Sequence, residues 1–170
     1  MHAQQARDLA SYNRWMNERL YAVCAELSEA ERQEDRGVFF KSIHGTLNHL
    51  LLADKIWLAR FTGKTFHVSG LDQELHPAFD ALRDDRKATD EEIVQWADSL
   101  TEDKLSATLE YTSISNPEPR SFDMWFAVTH FFNHQTHHRG QLTGLLSQCG
   151  KDYDVTDLIA LPQAVLRNAT

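Results

Sequence analysis

The sequence predicts an all-α protein, a four-helix bundle with long connections and a short hairpin-like segment before the last long helix. Seven glycines and four prolines among 170 residues are about 4% and 2% of the chain, below the usual ~7% and ~5%, which disfavours turn-rich all-β folds. Four long stretches are also predicted to be helical, and four long helices in 170 residues imply a bundle. A chain of this length buries enough surface to fold as one domain over residues 1–170 without disulfide or metal.

The first two helices are predicted in the N-terminal part of the chain. The first covers about residues 3 to 27, where apolar residues recur every three or four positions. The polar stretch that follows is predicted as a loop. The second helix runs from Val38 to Phe61 and is almost continuously apolar, so we expect it to be largely buried, although it contains His44, His49 and Asp54.

The second half of the chain is predicted to supply the hairpin and the other two helices. Thr89 and Glu92 have the spacing of a capping box, so the third helix is expected to begin there. The segment before it is irregular, with at most a short helix around residues 78 to 82. Residues 107 to 114 alternate weakly and predict one arm of a hairpin. Residues 121 to 148, a proline-free run that ends before a glycine, form the fourth helix.

Charge and cysteine content restrict the classes of partner. Seventeen Lys and Arg against 25 Asp and Glu give a formal net charge of -8, and no segment forms the cationic stripe that binds nucleic acid or an anionic membrane. No signal peptide and no run of 18 apolar residues is found, so we expect a soluble, cytoplasmic protein. Cys24 and Cys149 are far apart, and we interpret both as small core residues.

The fourth helix carries four histidines within nine residues, namely His130, His134, His137 and His138. On a helical wheel with His130 at 0°, the apolar side chains lie between about 60° and 160°. His138 falls inside this arc at about 80° and His134 at its edge at about 40°, whereas the other two lie outside it. The inward pair is therefore His134 and His138, at the i, i+4 spacing with which a helix supplies two ligands to one metal.

A third ligand is expected from the second helix, where the wheel does not separate His49 from His44. Asp54 lies on the buried arc of the same helix, where it either orients a ligand imidazole or pairs with a cation such as Arg139. Gln141 either hydrogen-bonds a metal-bound water or is structural. A buried histidine network without metal is the alternative to a metal site.

Several segments resemble the DinB/YfiT-like family of small bacterial four-helix bundles. They are YNRWMNERL in the first helix, NHLLLADKIWLARF in the second, HQTHHRGQL in the fourth and TDLI near the C-terminus. The resemblance implies one divalent metal ion, zinc or nickel, held by one histidine of the second helix and two of the fourth, which correspond to His49, His134 and His138. In the family the hairpin often turns at a glycine, whereas this chain has Asn116-Pro117-Glu118-Pro119 there.

The resemblance also implies a class of activity. Three neutral imidazoles leave at least one coordination position for water or substrate, as in catalytic zinc sites. The family look-alikes indicate a metal-dependent enzyme of the thiol S-transferase class, with a small-molecule substrate and a low-molecular-weight thiol as cosubstrate. A metal-dependent hydrolase and a non-catalytic metal-binding protein of the stress response are the alternatives. A homodimer is a further expectation from the resemblance.

Overall fold

The computed structural model describes residues 1–114, 116–162 and 165. The four long helices are α1 (Ala3–Ala25), α3 (Ile43–Phe61), α4 (Phe79–Asp98) and α6 (Met124–Gln148), and the short ones are α2 (Glu29–Gln33) and α5 (Glu102–Ser106). Strands β1 (Thr108–Thr112) and β2 (Pro119–Asp123) pair antiparallel, with Thr108 opposite Asp123. A 3₁₀ turn at Leu158–Ala160 follows α6. The predicted helical fold with a short hairpin before the last long helix is confirmed. Over the described ranges, no helix is long and apolar enough to cross a membrane.

Capping residues explain two boundaries that differ from the prediction. The polar stretch after α1 contains α2, because Ser28 and Glu31 form a capping box there. The second long helix begins at Ile43 rather than Val38, since the Ser42 hydroxyl accepts a hydrogen bond from the Gly45 amide at 3.0 Å. The residues from Val38 to Lys41 form a turn instead, closed by the Lys41 amide donating to the Val38 carbonyl at 2.8 Å.

The capping box predicted at Thr89 is wrong. Thr89 is buried in the middle of α4, which already begins at Phe79. Phe79 stacks on Tyr21 of α1 with ring centroids 5.8 Å apart, and Leu82 is fully buried in the same cluster. Packing against α1 therefore extends the helix beyond the local signal. The last long helix also begins later than predicted. It starts at Met124 rather than at residue 121, because residues 121–123 belong to β2.

The core has two apolar clusters with polar side chains between them. One cluster includes Leu20, Leu47 and Leu142, and the other includes Ile93 and Phe131. On each long helix, buried polar residues lie between the residues of the two clusters. We refer to this set as the polar layer: Asn13, Asn17, Asp54, Arg86, Asp90, Gln135 and Arg139. Burying polar and charged groups is tolerated only where they find partners.

The partners within the polar layer are mostly its own members. Asp54 accepts hydrogen bonds from Arg86 at 2.5 Å and from Gln135 at 2.8 Å, and Arg86 also pairs with Asp90 at 2.9 Å. Asp54 was expected either to orient a ligand imidazole or to pair with a cation such as Arg139. It pairs with a cation, but that cation is Arg86. Arg139 instead donates to Asn13.

The two cysteines belong to the apolar cluster that includes Leu20, Leu47 and Leu142. Cys24 is fully buried there, and Cys149 is partly buried and packs against the same cluster. Both thiols are free. Burial raises the pKa of the Cys24 thiol to about 12, so at neutral pH this residue is an uncharged apolar group, in agreement with a core role.

Candidate metal centre

Three histidines converge between α3 and α6. His49 comes from α3, and His134 and His138 come from consecutive turns of α6; we refer to these three residues as the triad. One ring nitrogen of each lies within 4.8 Å of those of the other two, and the Nε2 atoms of His134 and His138 are 3.1 Å apart. The structure therefore brings together the three residues that the resemblance implies, in a group that could hold a metal ion.

Hydrogen bonds from outside the triad orient two of the imidazoles. His49 Nδ1 lies 3.0 Å from the carbonyl oxygen of Leu71, and His138 Nδ1 lies 2.7 Å from Gln141 Oε1. Both oxygens only accept, so each Nδ1 carries the proton and each Nε2 keeps its lone pair. Ligand histidines in metalloproteins are held in this way by acceptors beyond the metal. Gln141 thus contacts the His138 imidazole, and its hydrogen bond to a metal-bound water stays a prediction.

Burial keeps the triad uncharged. Burial, with a smaller contribution from the neighbouring imidazoles, lowers the pKa of His49 to about 4 and that of His134 to about 3, although the hydrogen bond to Leu71 partly opposes the effect on His49. Burial also lowers the pKa of His138. All three rings are therefore neutral at pH 7, which is the protonation state that binds a metal.

Phe40 covers one side of the triad. Its ring stacks on His49 at a centroid distance of 3.7 Å and meets His138 edge-on at 5.5 Å. The Phe40 carbonyl lies directly against Gly45 of α3, where any Cβ would collide with it. A cavity of about 700 Å³ lies beside this loop and is lined by both Phe40 and Leu71. No sequence periodicity indicated Leu71, which lies in the connection between α3 and α4, and Phe40 was predicted inside the second helix, whereas it lies in the turn before α3.

The other candidate histidines lie apart from the triad. His44 is buried, but its Nε2 contacts the carbonyl oxygen of His76 at 2.9 Å, so the choice between His44 and His49 is resolved by position. His130 is exposed and lies between Trp57 and His134, with ring centroids 5.0 and 5.9 Å away. His137 is exposed as well. Within the described ranges, no other three His, Cys, Asp or Glu side chains meet in this way.

Fold and site together define a helical-bundle protein with a potential three-histidine metal centre between two of its long helices. The chain belongs to the DinB family, whose family model matches residues 1–165, so the resemblance stated from the sequence is confirmed. It is 31% identical over 159 residues to Protein DinB from Bacillus subtilis (strain 168), a match that covers 88% of both chains.

A solved structure supports the fold. The crystal structure of a DinB-like protein from Bacillus cereus ATCC 10987, determined at 2.01 Å resolution, aligns with a TM-score of 0.58. The two chains are 17% identical, and the alignment covers 82% of this chain and 89% of the other. At this identity the likeness concerns the architecture of the bundle alone.

Proposed function

We propose that this protein holds one divalent metal ion, zinc or nickel, at the triad and is a metal-dependent enzyme of the thiol S-transferase class acting on a small molecule. The observation that carries the proposal is the convergence of three neutral imidazoles, of which His49 and His138 donate through Nδ1 to outside oxygens and keep the lone pair of Nε2. Three protein ligands leave a coordination position open, which is the arrangement of catalytic rather than structural sites.

The residues present suit such a metal. Imidazole nitrogen is a favourable ligand for both zinc and nickel, and availability decides which ion is bound. The outer hydrogen bonds to Leu71 and Gln141 fix the rings of His49 and His138 before any ion arrives. When bound, the metal supplies a Lewis acid that lowers the pKa of a coordinated thiol or water. Phe40 excludes water from the side of the site that it covers.

The state of Asp54 favours thiol transfer over hydrolysis. Asp54 is close enough to His138 to interact with it electrostatically. However, each of its two carboxylate oxygens already accepts a hydrogen bond, one from Arg86 and one from Gln135. Asp54 is therefore not free to act as a general base on water. A thiol needs no such base, because once its pKa is lowered it loses its proton to solvent and the thiolate is itself the nucleophile.

A transferase assay with zinc-loaded and nickel-loaded protein tests the proposal. With glutathione and 1-chloro-2,4-dinitrobenzene, a C–S bond forms, the C–Cl bond breaks, chloride leaves with the electron pair, and the thiol proton passes to solvent. We expect a rate above the uncatalysed reaction that is lost in His138→Ala. The matched control is His137→Ala, which removes the adjacent exposed histidine and should retain the rate. Equal rates in both variants would contradict the proposal.

A further inference from the structure

A half-buried arginine without an acidic partner lies at the C-terminal end of α3. The Arg60 guanidinium carbon is 4.6 Å from the ring centroid of Trp57 and 4.2 Å from that of Tyr111 on β1. No carboxylate among the described residues pairs with it. Arg7, Arg32 and Arg139 also lack a carboxylate partner, but they donate to amide or carbonyl oxygens instead. Burial lowers the pKa of Arg60, and the opposing contribution comes from Tyr111.

Arg60 lies on the same face of α3 as His49. It follows His49 by eleven residues, which places the two about 20° apart around the helix and about 16 Å apart along it. Helical side chains lean toward the N-terminus, so that of Arg60 is directed back toward the triad. A row of aromatic rings lies between Arg60 and the triad, since Trp57 contacts His130 and His130 contacts His134.

The rings on this side of the triad are exposed or partly buried. Phe40 covers His49 and His138, whereas the rings next to His134 are the exposed His130 and the partly buried Trp57. Arg60 lies on this side, against the Trp57 ring that also contacts His130. A molecule that enters along this side meets a cation before it meets the triad.

We propose that Arg60 binds a carboxylate of the small-molecule thiol whose sulfur reaches the triad. This names the substrate class of the proposed function and rests on it. The Trp57 and Tyr111 rings hold the guanidinium and leave its N–H groups available for a carboxylate, which guanidinium can bind in bidentate fashion. The Arg60 side chain covers part of the distance along α3 between Arg60 and His49. The remaining distance between its guanidinium and the triad is about 10 Å, which is the length of an extended molecule of tripeptide size.

Calorimetric titration of the zinc-loaded protein with three probes tests the proposal. The probes are glutathione, glutathione diethyl ester, which lacks the carboxylates, and S-methylglutathione, which lacks the free thiol. We expect glutathione to bind about tenfold more tightly than the diester, the effect of one charge-assisted hydrogen bond at a half-exposed site. Arg60→Gln should abolish this preference and Arg60→Lys should restore part of it. Arg83→Gln is the matched control, because Arg83 contacts an aromatic ring but pairs with Asp80.

The outcomes separate this proposal from the proposed function. A preference for glutathione that is unchanged in Arg60→Gln, or no preference in the wild type, overturns the role of Arg60 and leaves the thiol class standing. Binding of S-methylglutathione that matches glutathione and depends on Arg60 supports the carboxylate site and contradicts the thiol class. If Arg60 only attaches the hairpin to α3, Arg60→Gln will weaken all three probes equally, which overturns the proposal. Failure of all three probes to bind overturns it too.

Discussion

The polar layer and the triad are both buried polar clusters at the middle of the same bundle, but their charges are arranged in opposite ways. The polar layer combines two carboxylates, Asp54 and Asp90, with two guanidiniums, Arg86 and Arg139, so its charges balance internally. The triad consists of three bases that lose charge on burial. A cluster that supplies its own partners stabilises the fold, whereas one that presents several lone pairs to a single point is suited to bind a cation from outside.

Arg86→Met should give the largest effect, because it leaves the carboxylates of Asp54 and Asp90 buried without their main cation. Breaking a buried ion pair by removing one partner costs about 3–5 kcal/mol, and we expect a loss of that size in the free energy of unfolding, measured by urea titration of metal-free protein. Arg83→Met, which breaks a surface pair with Asp80, should cost at most about 1 kcal/mol. Similar losses in the two variants would remove the distinction between the polar layer and the surface.

Metal removal should destabilise the protein through the triad alone. At a free metal concentration of 100 times Kd, binding stabilises the folded state by about 2.7 kcal/mol, so chelator should lower the Tm of metal-loaded wild type. His134→Ala should melt at the same temperature with and without chelator. A shift of the wild-type size in this variant would mean that the metal binds elsewhere.

Gly45→Ala should test whether the loop that carries Phe40 closes the triad. The new Cβ would collide with the Phe40 carbonyl, and we expect a loss of about 2 kcal/mol, in the range for overpacking, together with faster release of metal to a chelator. Gly140→Ala on α6 meets no neighbouring atom. Replacing this helical glycine should stabilise by up to about 1 kcal/mol without changing metal release. Unchanged release in Gly45→Ala would show that Phe40 does not control access.

Gln141→Leu should give the smallest effect. It removes the acceptor of His138 Nδ1–H but no ligand, and loss of such an outer partner weakens metal affinity by about 10- to 100-fold. We expect a value near tenfold, since Gln141 is exposed, measured by competition with a chromogenic chelator. Gln148→Leu, at an exposed position of the same helix, should leave the affinity unchanged. Equal affinities in the two variants would place Gln141 outside the site.

The pairing of His134 with His138 could be predicted because side-chain direction in a long helix follows from periodicity alone. The choice between His44 and His49 could not, since both are buried and a helical wheel does not show what the connection between α3 and α4 brings to each. That connection gives the Leu71 carbonyl to His49 and the His76 carbonyl to His44. Its path carries no periodic signal.

The two capping-box patterns show when a local sequence pattern predicts the start of a helix and when it does not. Ser28 and Glu31 form their box in a polar segment where nothing competes with it. Thr89 and Glu92 have the same spacing, but Phe79 and Leu82 pack against α1 and continue the helix through that position. Tertiary packing outweighs a cap whose contribution is only about 1 kcal/mol.

Elemental analysis of untagged protein, purified without chelator or added metal, tests the central claim most directly. The samples are the wild type, His49→Ala, His134→Ala, His138→Ala and the control His137→Ala. We predict about one equivalent of zinc or nickel per chain in the wild type and the control, and little or none in each triad variant, all of which remain helical by circular dichroism. A wild type that binds no metal even after reconstitution, or a triad variant that retains a full equivalent, would contradict the assignment.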